Sequence, residues 1–147
     1  MKRLVPFFVV LASCVVTMVS ADQTFTAEDQ TPSGKFLTAT EVRPILEMTK
    51  GNWVAVREYD GKDWLYFTHL ISWRCGLHQI KYAVNDGTLE ALEIAPCDPK
   101  NPNHIPQESQ IALTYPLGGI TSVTVEILYD DMQVQTETFQ REEVQMP

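Results

Sequence analysis

The sequence predicts a mainly β chain, with about seven short strands in an antiparallel sandwich preceded by one short helix. Three observations carry the prediction. Turn signals recur at Asp60-Gly61, Asn85-Asp86-Gly87, Pro116-Leu117-Gly118-Gly119 and Asp130-Asp131, and between them apolar residues repeat with a period of two. One stretch alone repeats at helical spacing. A cysteine stands at each end of the central hairpin, Cys75 and Cys97. The same elements could also form an α+β arrangement, the helix packed on a single curved antiparallel sheet.

The first 21 residues read as a secretory signal: Lys2 and Arg3, an apolar run from Leu4 to Val19, then Ser20 and Ala21 as the small residues of a cleavage site. The run is short for a membrane span, and Pro6, Ser13 and Thr17 interrupt it, so no span is expected after cleavage. Leu11-Ala12-Ser13-Cys14 resembles a bacterial lipobox, which implies a second processing route with lipidation at Cys14. Val15, Val16, Met18 and Val19 carry the apolar run past that cysteine and favour ordinary cleavage. Residues 22–35 are polar and read as a flexible lead. Residues 36–147 then make one β-rich domain.

The helix is expected at about 40–50. Val42, Ile45, Leu46 and Thr49 share a face, and Thr38 with Glu41 has capping-box spacing. Pro44 suits a first turn and argues for the later start, at Thr40. From Asn52 the period changes to two. A strand ending at Tyr59 turns at Asp60-Gly61 into a second, from Trp64 to Trp73, which is apolar on both faces and suits a covered central strand. The bland expectation is that the helix covers one face of this hairpin and the facing sheet the other. The hairpin of residues 77–95 follows, then a loop with Pro99, Pro102 and Pro106, long enough to be functional or mobile. Three more strands are centred on Leu113, Val125 and the run from Met132 to Phe139.

Residues 76–140 loosely resemble the middle and end of an immunoglobulin-like or fibronectin-like domain. The resemblance rests on the alternation in Ile80-Lys81-Tyr82-Ala83-Val84-Asn85-Asp86-Gly87 and Val123-Thr124-Val125-Glu126-Ile127-Leu128-Tyr129-Asp130. It implies a fold and little about function.

Charge narrows the function. The leader holds Lys2 and Arg3 and no acids, so its removal takes 11 basic and 19 acidic residues to nine and 19, a net charge of −10. Such a surface repels phosphate backbones, and nucleic acid binding is not expected. The even pair Cys75 and Cys97 predicts a structural disulfide and a periplasmic or secreted location.

No motif for catalysis, cofactor or metal stands out. His69, His78 and His104 lack ligand spacing, and the aspartates of the turns are explained by turn chemistry. What remains is aromatic: Trp53, Tyr59, Trp64 and Tyr66 flank one hairpin and form the candidate interaction surface. The expected function is a non-enzymatic exported module that binds another, unknown protein of the cell envelope. The alternatives are a glycan-binding or hydrolytic accessory protein, in which carboxylates such as Glu58 and Asp63 would converge in a concave site, and a lipid-anchored envelope lipoprotein.

Overall fold

The computed structural model describes residues 23–147; the predicted signal and Cys14 lie outside them. The fold is mainly β, with seven strands in two antiparallel sheets and one helix of ten residues before them. A small sheet holds β1 (Ala55–Tyr59), β2 (Lys62–Tyr66) and β5 (Ala112–Pro116) in the order β1-β2-β5. A large sheet holds β3 (Leu77–Val84), β4 (Glu90–Ala91), β6 (Ser122–Tyr129) and β7 (Val134–Gln140) in the order β4-β3-β6-β7. The apolar core lies between the inner faces. Val56 and Leu65 of the small sheet and Ile80, Val123, Val125 and Ile127 of the large one are fully buried.

Helix α1 (Ala39–Met48) starts one residue before Thr40, with Thr38 at its N-cap. Two carboxylates explain the earlier start. Glu41 accepts from the backbone N–H groups of Leu37 (2.9 Å) and Thr38 (3.3 Å), closing the capping box. Asp130, 91 residues away, accepts from the N–H of Ala39 at 2.8 Å. Together they satisfy donors that a helix N-terminus otherwise leaves open, and Pro44 is carried inside the helix. The helix buries Ala39, Val42 and Leu46. It docks where Gly76 leaves room: a Cβ there would meet Val42 Cγ2 at 2.4 Å and the Thr38 carbonyl oxygen at 2.8 Å. So α1 does not cover the hairpin of β1 and β2, contrary to expectation.

The expected strand from Trp64 to Trp73 also divides. It ends at Tyr66, and a short helix α2 (Thr68–Ser72) buries Leu70 and Ile71. A brief apolar run does not distinguish a buried strand from a buried helix by its period. The hairpin after it is looser than expected, since β4 is two residues long and pairs only Ala91 with Lys81 and Glu90 with Tyr82. A last helix, α3 (Arg141–Val144), follows β7 directly.

Cys75 and Cys97 form the predicted disulfide, with Cα atoms 4.8 Å apart. The proline-rich loop beyond it is clamped at a second point. Arg74, 2 % exposed, donates from Nε to the carbonyls of Ala95 (2.9 Å) and Pro96 (3.1 Å), and from Nη1 to those of Ile71 and Pro102. The polar lead is likewise held against the body. Glu28 N–H donates to the Asp130 carbonyl, Gln30 Nε2 to Asp130 Oδ1, and Phe25 stacks on His78 with ring centroids 5.0 Å apart. The expectation of a free lead missed these partners because they stand 50 to 100 residues away in the chain.

Candidate interaction face

The hairpin of β1 and β2 closes as its sequence requires. Asp60 and Gly61 both have positive φ, at 50° and 69°, and Tyr59 pairs with Lys62 across them. A two-residue loop with both φ values positive matches the twist of the flanking strands. The register then fixes which side chains share a face. Ala55 stands opposite Tyr66, Arg57 opposite Trp64 and Tyr59 opposite Lys62, while Ala112, Thr114 and Pro116 of β5 extend the same row. Val56, Asp63 and Leu65 point to the other side and are buried.

Three of the four predicted aromatics therefore meet on the outer face of the small sheet: Tyr59, Trp64 and Tyr66. Trp64 and Tyr66 are half-buried and stack, with centroids 6.4 Å apart and an interplanar angle of 21°. The Trp64 indole N–H donates to the Tyr59 carbonyl at 3.1 Å, which fixes the ring. Tyr59 is 59 % exposed, and the Arg57 guanidinium lies over its ring at 5.4 Å. Trp53 does not belong to this face. It precedes β1 in helical conformation, is fully buried, donates its indole N–H to the Leu46 carbonyl at 2.8 Å and meets Phe139 edge-on at 6.1 Å. Strand alternation counted from Trp53 misplaced it, because the strand begins two residues later.

A cleft of about 360 Å³ opens at one end of the face, lined by Asn52, Ala55, Arg57, Tyr66, His69 and Met146, with Thr68 at its wall. His69 lies on α2, not in a strand. Its Nε2 sits 2.7 Å from Thr49 Oγ1, which itself donates to the Ile45 carbonyl. Thr49 is thus left to accept, so Nε2 carries the proton. Burial lowers the His69 pKa and favours this neutral ring. The chain's own C-terminal residues close the rim, Met146 N–H donating to the Val56 carbonyl on the edge of β1.

Glu58 and Asp63, the pair named for a hydrolytic site, are brought together on Arg141. Both Asp63 oxygens accept from its guanidinium, at 2.6 and 2.9 Å, and Glu58 accepts from Nη2 at 2.8 Å. Asp63 is fully buried and takes a further bond from Ile120 N–H. The Arg141 hydrogen bonds hold its carboxyl down to about 2. This cluster ties β2 to the end of β7 and does not open to a ligand. Sequence reading missed Arg141, along with Arg74 and Asn85. Asn85 Oδ1 accepts from the Thr121 N–H and hydroxyl, and its amide donates to the Gly119 carbonyl.

Among the described residues no three histidine, cysteine or acidic side chains are grouped to hold a metal ion, and no helix is long and apolar enough to cross a membrane. Compared with known protein families, curated proteins and solved structures, the chain matches none of them.

Proposed function

We propose that the chain is a non-enzymatic, exported binding module that contacts another protein of the cell envelope through the outer face of its small sheet. The observation that carries this is the gathering of Tyr59, Trp64 and Tyr66 on one outer face, with Tyr59 59 % exposed and the two other rings half-buried beside it. Large, rigid side chains lose little conformational freedom on binding and dominate contact energies. The Cys75–Cys97 disulfide supports export, since such bonds persist in oxidising compartments. A hydrolytic role for Glu58 and Asp63 lacks support because Arg141 already engages both.

The test is crosslinking in intact cells followed by purification of the chain. A stoichiometric protein partner that is lost in Trp64→Ala and kept in Thr136→Ala, on the far sheet, is the expected result. A partner indifferent to Trp64, or none under several conditions, would overturn the proposal.

A further inference from the structure

Nine cations lie among the described residues, and most are engaged. Arg43, Lys50, Lys81 and Arg141 form ion pairs with Asp131, Glu137, Glu126 and the Glu58–Asp63 pair, and Arg74 is buried among carbonyls. In a chain with 19 acids, this pairing is the electrostatically cheap outcome. Lys35, Arg57, Lys62 and Lys100 are exposed and in no ion pair.

Two of those four, Arg57 and Lys62, stand on the outer face of the small sheet. The register gives that face Ala55, Arg57 and Tyr59, Lys62, Trp64 and Tyr66, and Ala112, Thr114 and Pro116. No carboxylate is among them. Glu58 points to the opposite side, onto Arg141, and Asp60 sits in the turn. The most aromatic face of a strongly acidic chain thus carries two unpaired cations and no carboxylate on its strands, with Asp60 at its turn end.

We infer that the face takes an acidic segment of a partner polypeptide, with carboxylates on Arg57 and Lys62 and apolar side chains against Trp64, Tyr66 and the cleft beside Met146. The inference rests on the proposed function and names the chemistry of its partner. A polypeptide fits better than a glycan. The Trp64 indole N–H is already bound to the Tyr59 carbonyl, and the strands of the face offer no carboxylate to bind sugar hydroxyls, the amide of Asn52 standing apart in the cleft. Two charges close to the contact act within a Debye length of about 8 Å at physiological salt, and of the acids next to them in the chain Glu58 and Asp63 are engaged by Arg141 on the opposite side.

The test uses the purified protein and three synthetic twelve-residue peptides of alternating leucine with glutamate, glutamine or lysine, together with polygalacturonate as an acidic glycan. Binding is read by titration calorimetry. The glutamate peptide is expected to bind at least tenfold tighter than the glutamine peptide, to weaken with added salt, and to lose its advantage in the double variant Arg57→Glu, Lys62→Glu. Both side chains are exposed, so the variant should melt as the parent does. Equal affinity for the three peptides, or a glutamate preference that survives the double variant, would overturn the inference. So would tighter binding of polygalacturonate that depends on Trp64. A cellular partner lost in Trp64→Ala but kept in the double variant leaves the binding face standing and removes its acidic specificity. A partner indifferent to both variants removes the two proposals together.

Discussion

On the outer face of the large sheet, Lys81 pairs with Glu126 at 3.2 Å and Thr124 bonds Thr138 at 2.9 Å across neighbouring strands. On the outer face of the small sheet, Arg57 and Lys62 face no carboxylate, and three aromatic rings lie beside them. On the first face the charged pair and the Thr124–Thr138 hydroxyl pair are satisfied within the sheet, and its exposed apolar side chain, Val134, is aliphatic and small. The second leaves aromatic area exposed and two positive charges without ion-pair partners among the described residues, and the proposed contact rests on that difference. The attachment of the two sheets differs as well. The small sheet is tied to the end of β7 by a buried ion cluster, Asp63 with Arg141, whereas the turn after β6 in the large sheet buries Asp130 with no cation on it and no described partner for its Oδ2.

The largest effect that separates the sheets should come from Arg141→Ala. It strands the fully buried Asp63 carboxylate, and breaking one side of a buried pair costs about 3–5 kcal/mol. Lys81→Ala, on the balanced face of the large sheet, should cost less than ~1 kcal/mol because its pair is partly exposed. Urea melts of the two variants measure both; equal losses would break the contrast.

The two tryptophans sharpen it next. Trp53→Ala empties a core position and should destabilise by roughly 3–5 kcal/mol. Trp64→Ala removes a half-buried ring from the outer face. It should cost clearly less stability than Trp53→Ala while weakening partner binding by about tenfold or more.

Acid titration should give the two buried aspartates opposite signs. Hydrogen bonds from Arg141 hold the Asp63 pKa down at about 2. Its stabilising share is complete above the unfolded carboxylate range and is lost as pH falls through about 2, an effect of roughly 2 kcal/mol. Burial raises the Asp130 pKa, against hydrogen bonds from Gln30 and Ala39 that lower it. Ionised Asp130 therefore costs stability at neutral pH, and the cost disappears as pH falls through its raised pKa. Asp130→Asn keeps an oxygen for Ala39 and Gln30 and should raise the melting temperature at pH 7. Asp63→Asn should lower it. Melts of both variants across pH 2–7 check the signs.

Local signals in the sequence were enough to place the hairpin at Asp60-Gly61, the disulfide, and Tyr59, Trp64 and Tyr66 on one face; the capping-box spacing of Thr38 with Glu41 was also legible, but Pro44 argued for a later start. Each depends on residues close together in the chain, on alternation, or on the two cysteines left once the predicted signal with Cys14 is set aside. What escaped was made by distant contacts. The N-cap supplied by Asp130, the carbonyl cage around Arg74 and the Asp63–Arg141 cluster join residues 20 to 90 positions apart, and no spacing rule announces them. Trp53 was misplaced because its ring looks identical in sequence whether the strand begins at that residue or two later. The helix was expected over the aromatic hairpin because its apolar face needed a cover. Gly76, which admits it elsewhere, reads in sequence as an ordinary turn residue.

The most direct measurement places a photo-crosslinking amino acid at Thr114, exposed on the outer face of the small sheet, and separately at Thr136, exposed on the large sheet. Both variants are irradiated in living cells and probed for higher-mass products of the chain. A discrete product from position 114 and none from 136 is the predicted result. Products from 136 alone, or the same products from both positions, would contradict the assignment of the contact to the small sheet.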